Sequence, residues 1–203
     1  MKRILALQVA LDRAGFSPGE IDAHRSANTE RALRAFQQAH GLHVTGELDR
    51  NTVRTLGQPF VRSVRTYHIT QRDMETALDW VSSADMLAER FHTSAALLRY
   101  MSSETRFEEG ETLLVPNVEP FAVMHTETPV VVTVAERAHM LSVQNASGEV
   151  IFHAPLAAAG DDDAYGAEPS GLPKVSLGGI RLTSWDAMRL ACLMNGTATV
   201  VMR

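Results

Sequence analysis

The sequence predicts an α+β fold made of three consecutive units. In the first 57 residues, apolar side chains recur at spacings of three and four, which is typical of short amphipathic helices. A strand–helix–helix–strand pattern follows. From residue 130 onward the apolar residues alternate as in half-buried strands, with one helix before the last strand. We therefore predict domain boundaries of 1–58, 59–120 and 121–203.

The composition excludes several classes of protein. The chain has 203 residues, 45% of them hydrophobic, which is enough for a sizeable core. The formal net charge is -5 and the basic residues are scattered, so neither nucleic acid nor an anionic membrane is an expected partner. No apolar stretch approaches the roughly 18 residues of a membrane span.

The opening stretch MKRILALQVALDRAG superficially resembles a signal peptide. However, Gln8, Asp12 and Arg13 interrupt its apolar run, and no small-residue cleavage site follows. We interpret it as a folded helix, so export would depend on a leader outside this sequence. The single cysteine, Cys192, excludes an intramolecular disulfide. Its apolar helical surroundings favour a buried small hydrophobic residue over a reactive thiol.

The first unit is predicted to contain three helices. Apolar residues within 4–14 share one face of the first helix, which Gly15 ends. Asn28 is the predicted N-cap of the second helix, and Asp49 or Asn51 that of the third.

The stretches LQVALDRAGFSPGEID, NTERALRAFQQAHGL and VTGELDRNTVRTL together resemble the three-helix peptidoglycan-binding domain of bacterial cell-wall enzymes. The resemblance implies peptidoglycan, through its glycan or its stem peptide, as the ligand. It also indicates four candidate contact residues: Asp22, Arg25, Asn28 and Gln37. Residues 23–26 replace a turn that usually bears glycine in this family, so a purely solvated loop remains the alternative for Asp22 and Arg25.

The second unit combines the predicted strands TYHIT and TLLVPNV with two helical segments between them. Ser94 is the predicted cap of the second helix. The phrases LAERFHTSAALLRYM and FEEGETLLVPNV are similar to a LysM module, a βααβ fold, with Gly110 at the turn before its last strand. Residues 72–83 would be an insertion, and Ser102 replaces the usual Asn. A LysM module implies glycans that contain N-acetylglucosamine, and a spacer without glycan affinity is the alternative.

The third unit is predicted to be mainly β. Residues 130–156 read as three strands with a hairpin turn at Ser147 and Gly148, and DDDAYGAEPSGLPK reads as a loop. A helix follows from Trp185 to Met194, capped by Ser184, and the strand TATVVMR ends the sequence.

The stretch SLGGIRL resembles the Ser-His-Gly-Cys-Ile-Arg-Leu signature of L,D-transpeptidases of the YkuD family. Ser176, Gly178 and Arg181 match that signature, whereas Leu177 replaces its His and Gly179 its catalytic Cys. The family's nucleophile is a thiolate activated by a base, and glycine has no side chain to replace it. The segment that supplies the family's catalytic His is also missing, because no histidine follows His153.

Other residues do not restore this chemistry. Ser176 is a weak nucleophile without a positioned base, and Cys192 is expected to face inward. The histidines His125, His139 and His153 are isolated in the sequence, and no spacing of ligands suggests zinc. We therefore expect neither a metal nor a cofactor, and we expect Arg181 to brace the shortened sheet.

These observations predict a noncatalytic envelope protein, a shortened and degenerate relative of L,D-transpeptidases in the bacterial periplasm or cell envelope. It would dock on peptidoglycan, or on an active L,D-transpeptidase as a scaffold or regulator. An uncovered sheet edge would favour association with itself or with another chain. Two alternatives remain open: an assembly component without glycan affinity, and an active L,D-transpeptidase that uses unrecognised residues.

Overall fold

The fold is mixed α+β, with seven α-helices and two sheets in the part of the chain that the structure describes. This structure, a computed structural model, describes residues 1–57, 62–78, 80–118, 130–156, 182–194 and 198–202. Among its helices, none combines the length and the apolar character that a bilayer span requires. The predicted domain boundaries stay a prediction.

Three helices form the N-terminal unit, as predicted: α1 (Lys2–Arg13), α2 (Ala27–Ala39) and α3 (Arg50–Leu56). The predicted cap of α2 is wrong, because Asn28 lies inside the first turn. Ser26 is the N-cap instead, and its side chain accepts a hydrogen bond from the Thr29 amide at 3.1 Å. Asp49 caps α3 in the same way by accepting from the Thr52 amide at 2.8 Å.

The central unit contains one helix that sequence patterns missed. Its elements are β1 (Val64–His68), α4 (Gln71–Ala77), α5 (Ser83–Arg90), α6 (Ala95–Met101) and β2 (Thr112–Pro116). The strands β1 and β2 pair antiparallel, and Ser94 caps α6 as predicted.

Helix α4 overlaps residues 72–83, which the sequence indicated as an insertion. Thr70 and Asp73 form a capping box at its start. The Asp73 carboxylate also accepts hydrogen bonds from the Tyr67 hydroxyl, at 2.7 Å, and from Arg90. These bonds join α4 to β1 and α5.

The C-terminal unit is a four-stranded sheet covered by one helix. Its elements are β3 (Val130–Ala135), β4 (Met140–Gln144), β5 (Val150–Pro155), α7 (Ser184–Leu193) and β6 (Ala198–Met202), and the strand order is β5-β4-β3-β6. Strands β3 and β6 are parallel, and the other pairs are antiparallel.

Two sequence predictions in α7 require correction. Thr183, rather than Ser184, is the N-cap, because its hydroxyl accepts a hydrogen bond from the Asp186 amide at 3.0 Å. Cys192 is half-buried rather than fully buried. The residues that face the sheet core are Leu190 and Leu193.

Each unit has its own apolar cluster, and a fourth cluster is shared among them. The shared cluster combines Val9 and Ile21 from the N-terminal unit, Leu97 from α6, and Trp185 from α7. A buried contact of this kind excludes water from all the surfaces that contribute to it. The N-terminal helices are therefore packed against both of the other units.

The N-terminal unit also covers one edge of the C-terminal sheet. The segment that follows α1 lies parallel to β5, where Phe16 and His153 form a β-bridge. The His153 amide donates to the Gly15 carbonyl at 2.8 Å, and the Ser17 amide donates to the His153 carbonyl at 2.7 Å. The sequence predicted an uncovered sheet edge, whereas these bonds use the outer edge of β5 within the chain.

We predict that Gly15→Ala weakens this docking beyond the cost of backbone strain. Gly15 has φ +86°, and a Cβ there would lie 2.6 Å from the Ile151 carbonyl oxygen, so the chain could not stay against β5. Gly41→Ala is the matched control, because Gly41 has φ +63° and no atom within 4 Å of such a Cβ. We expect Gly15→Ala to cost about 1–3 kcal/mol more than Gly41→Ala in urea unfolding. Equal costs would contradict the tight approach to β5.

Candidate functional site

A groove of about 360 Å³ lies on the N-terminal helical unit. Its apolar lining comes from Ile4 and Leu7 of α1, Leu33 of α2, and Leu48 of the α2–α3 connection. Its polar lining consists of Thr29, Gly46 and four charged residues: Arg3, Arg25, Glu30 and Glu47. An apolar surface with a few charged groups at its rim is typical of a ligand site.

A buried glutamine fixes the loop that carries Arg25. The Gln8 amide donates hydrogen bonds to the Asp22 carboxylate at 2.8 Å and to the His24 carbonyl at 3.1 Å, and its oxygen accepts from the Ala23 amide at 2.8 Å. Gln8 also donates to the Thr29 hydroxyl at 3.2 Å. These bonds hold the loop before α2 against α1, so the backbone on either side of Arg25 has a defined place.

A second buried glutamine fixes the opposite turn of the groove. The Gln37 oxygen accepts from the amides of Thr45 and Gly46, at 3.0 and 2.9 Å, and its nitrogen donates to the Glu47 carbonyl at 2.9 Å. Gly46 has φ +73°, and a Cβ there would lie 2.8 Å from Nε of Arg34. Glycine at this position therefore leaves room for the α2 side chains that border the groove.

The four predicted contact residues have different places in this geometry. Arg25 lines the groove. Asp22 lies in the adjacent loop and is bonded to Gln8, and Asn28 accepts a hydrogen bond from Arg31 at 2.8 Å. Gln37 is fully buried, so we assign it a positioning role. Ser176, Leu177, Gly178, Gly179 and Arg181 lie outside the described residues, as does His125.

The charges of the groove are only partly compensated. Glu30 is paired with Arg34 at 2.9 Å, and the hydrogen bond and charge of Arg34 hold the pKa of the Glu30 carboxyl below its usual value. The side chains of Arg3, Arg25 and Glu47 have no hydrogen-bond or ion-pair partner within the described residues. The groove thus presents two guanidinium groups and one carboxylate to a ligand.

A separate polar cluster lies where the three units meet, and all its members except Arg189, whose side chain is 22% exposed, are buried. The Asp12 carboxylate of α1 is 2.7 Å from Nδ1 of His92, which follows α5, and it accepts a hydrogen bond from Arg189 of α7 at 3.1 Å. Arg189 also donates to the Asp12 carbonyl at 2.7 Å. We call Asp12, His92, Asp186 and Arg189 the junction.

The other side of His92 faces a second carboxylate. Nε2 of His92 is 4.0 Å from the Asp186 carboxylate, which accepts hydrogen bonds from the Ser17 hydroxyl at 3.0 Å and from the Thr183 hydroxyl at 2.9 Å. The imidazole is stacked on the Trp185 ring, with centroids 5.2 Å apart. Because His92 is 3% exposed and both carboxylates are buried, the junction has a structural role rather than contact with a substrate.

The junction shifts the pKa values of its groups in opposite directions. Burial alone would raise the pKa of Asp12, but the charge of Arg189 and the hydrogen bond to His92 outweigh it and lower that pKa. Burial alone would lower the pKa of His92, but the hydrogen bond and the charge of Asp12 outweigh it, so the pKa is raised. Burial raises the pKa of Asp186 and of nearby Glu89.

His153, at the docked edge of the sheet, behaves differently. Burial lowers the pKa of its imidazole to about 4, so the ring is neutral near pH 7. Its Nδ1 shares a hydrogen bond of 3.3 Å with the Ser142 hydroxyl, and its ring lies 6.3 Å from that of Phe16. His153 therefore acts as a satisfied interface residue.

Sequence patterns did not reveal the junction. Its members are far apart along the chain, and no local motif links Asp12, His92 and Asp186. One signal was present in α1, where Gln8 and Asp12 are four residues apart on a mainly apolar helix. Polar side chains in such positions are buried only when they have partners, so they indicated a contact with another part of the chain.

Comparison with known proteins supports the identity of the first unit only. Residues 1–56 match a family model described as "Putative peptidoglycan binding domain". No curated protein matches this chain. The N-terminal unit is thus a domain of the peptidoglycan-binding type, which associates the chain with the cell wall. The LysM and L,D-transpeptidase resemblances stay predictions.

We predict that His92 makes the stability of the chain depend on pH. Because the folded pKa of His92 is raised, its stabilising contribution is complete below the unfolded value of about 6.5 and is lost as pH rises through the folded pKa. The substitution His92→Asn removes the titrating group, and asparagine tolerates the positive φ of 49° at this position. The cost of the substitution, measured by urea unfolding, should be larger by about 1 kcal/mol or more at pH near 5.5 than at pH near 9.

The exposed His24 supplies the control for this experiment, because His24→Asn removes an imidazole that is 82% exposed. Burial raises and the charge of His92 lowers the pKa values of Glu20, Glu89 and Asp186, so the pH dependence of the His92→Asn cost includes the coupling of these carboxyls to the imidazole. A cost of His92→Asn that is the same at both pH values would contradict a charged imidazole in the junction.

Proposed function

We propose that this chain is a noncatalytic peptidoglycan-binding protein of the bacterial periplasm or cell envelope, and that it binds through the groove of its N-terminal domain. The observation that carries the proposal is the coincidence of the family match at residues 1–56 with a groove lined wholly by residues of that range. The groove has the mixed apolar and charged lining that is typical of ligand sites.

The loops that border the groove support this proposal. Gln8 and Gln37 are both fully buried, and each uses its amide to hold one loop at the groove. Because the hydrogen bonds of both amides are satisfied, their burial carries little desolvation cost. The same bonds can form in only one arrangement of the loops, so they specify that arrangement. A preorganised site loses less conformational entropy when it binds a ligand.

The noncatalytic part of the proposal depends on the sequence of the third unit. Gly179 and Leu177 stand where the L,D-transpeptidase signature has its Cys and His. Acyl transfer in that family needs a thiolate and a base, and these two residues supply neither. We propose that the third unit is a degenerate relative of L,D-transpeptidases, which leaves binding, or scaffolding of an active L,D-transpeptidase, as its contribution.

The proposal predicts that the full chain sediments with purified, intact sacculi. Ile4→Trp fills the groove with a bulky ring and should reduce the bound fraction about tenfold. Val44→Trp is the matched control, because Val44 is exposed and does not line the groove. Circular dichroism and thermal unfolding of each variant verify that the fold is retained.

Three results would contradict the proposal or one of its parts. A wild-type chain that stays in the supernatant would exclude peptidoglycan binding and favour an assembly component without glycan affinity. Equal sedimentation of both tryptophan variants with the wild type would show that the groove is not the site. In the same samples, incubation with a carbapenem should leave the intact mass unchanged, and a covalent adduct would exclude a noncatalytic chain.

A further inference from the structure

We propose that the groove recognises carboxylate groups of the peptidoglycan stem peptide, and not the glycan strand, through Arg3 and Arg25. This inference rests on the proposed function and specifies the chemical class of the ligand. It begins from the charges at the groove, where both guanidinium groups lack partners within the described residues.

The two arginines are suited to an anionic ligand. A guanidinium group binds a carboxylate with two parallel hydrogen bonds, and such charge-assisted bonds are about twice as strong as neutral ones. The neighbouring Glu30 carboxylate is bonded to both Nε and Nη2 of Arg34, at 3.2 and 2.9 Å, and it interacts with Arg25 only through the longer-range attraction of their charges. Arg3 and Arg25 therefore remain available at the groove.

The remaining lining agrees with a short peptide. Ile4, Leu7 and Leu48 supply an apolar surface for its side chains and backbone, and Glu47 supplies a carboxylate that can pair with an amine. Stem peptides carry several carboxylates and, in many bacteria, a free amine on a short backbone. The groove thus offers groups of complementary charge for both kinds of substituent.

The same lining is poorly suited to a glycan strand. Sugar rings are usually held against the faces of aromatic side chains, and the described lining of the groove contains no Phe, Tyr, Trp or His. An uncharged saccharide would also leave both guanidinium groups without a charged partner. In intact sacculi, where the lactyl carboxyls of the glycan form the amide bonds to the stem peptides, the physical difference between the two ligands is therefore the carboxylate charge.

The inference is tested by sedimentation with two preparations of the same sacculi. One is intact, and the other has been treated with an amidase that removes the stem peptides and leaves glycan strands whose muramyl residues carry only the freed lactyl carboxylate, so the comparison tests the carboxylates of the peptide itself. We expect the full chain to bind the intact sacculi and to lose at least about tenfold in affinity for the stripped strands. A synthetic stem tetrapeptide should compete with the intact sacculi.

The variants Arg3→Gln and Arg25→Gln should each weaken binding to intact sacculi by about tenfold, and added salt should weaken wild-type binding. Arg50→Gln is the matched control, since it removes the same charge from an exposed position of the same domain that does not line the groove. Its binding should equal that of the wild type. The control separates local recognition from a general effect of net charge.

The outcomes distinguish this inference from the proposed function. Full binding to stripped strands, or equal binding by Arg25→Gln and Arg50→Gln, would overturn recognition of the stem carboxylates and leave peptidoglycan binding intact. Failure of the wild type to bind intact sacculi would overturn both.

Discussion

The buried carboxylate of Asp12 is the constraint on which the arrangement of the three units depends. It lies on α1 and contacts two basic side chains from other units, His92 after α5 and Arg189 on α7. A buried carboxylate that lost one of these partners would keep the cost of its desolvation without the compensating attraction. A shift of any one of the helices α1, α5 and α7 would therefore break contacts made by the other two. The shared apolar cluster that contains Trp185 lies next to these contacts.

The same helix connects this junction to the candidate binding site. Towards its N-terminus α1 contributes Ile4 and Leu7 to the groove, and Gln8, one turn after Ile4, holds the loop before Arg25. Asp12 follows one turn after Gln8. The groove is consequently formed on a helix whose opposite end is fixed by the rest of the chain, so a cell-wall fragment would meet a rigid surface. The docked edge of β5 adds a second, backbone-mediated attachment of this domain.

Local patterns predicted much of the fold and little of its assembly. Helical spacing, alternation and turn residues identified six of the seven helices and all six strands of the described chain, because these signals depend on near neighbours in sequence. Helix α4 was missed, since its capping box has Asp where Glu or Gln is usual. Of the four predicted contact residues Arg25 lines the groove and Gln37 is buried, whereas Arg3, which also lines the groove, was not among them. The junction depends on contacts between distant residues, which no single sequence window contains.

Differential scanning calorimetry of the full chain tests most directly whether the units are one linked body. We expect a single unfolding transition, and Asp12→Asn should lower its midpoint as a whole by about 10 °C, because it breaks a buried ion pair. Glu47→Gln, which alters an exposed carboxylate of the same domain, should leave the midpoint nearly unchanged. Separate transitions for the units, with only one of them moved by Asp12→Asn, would contradict the linkage.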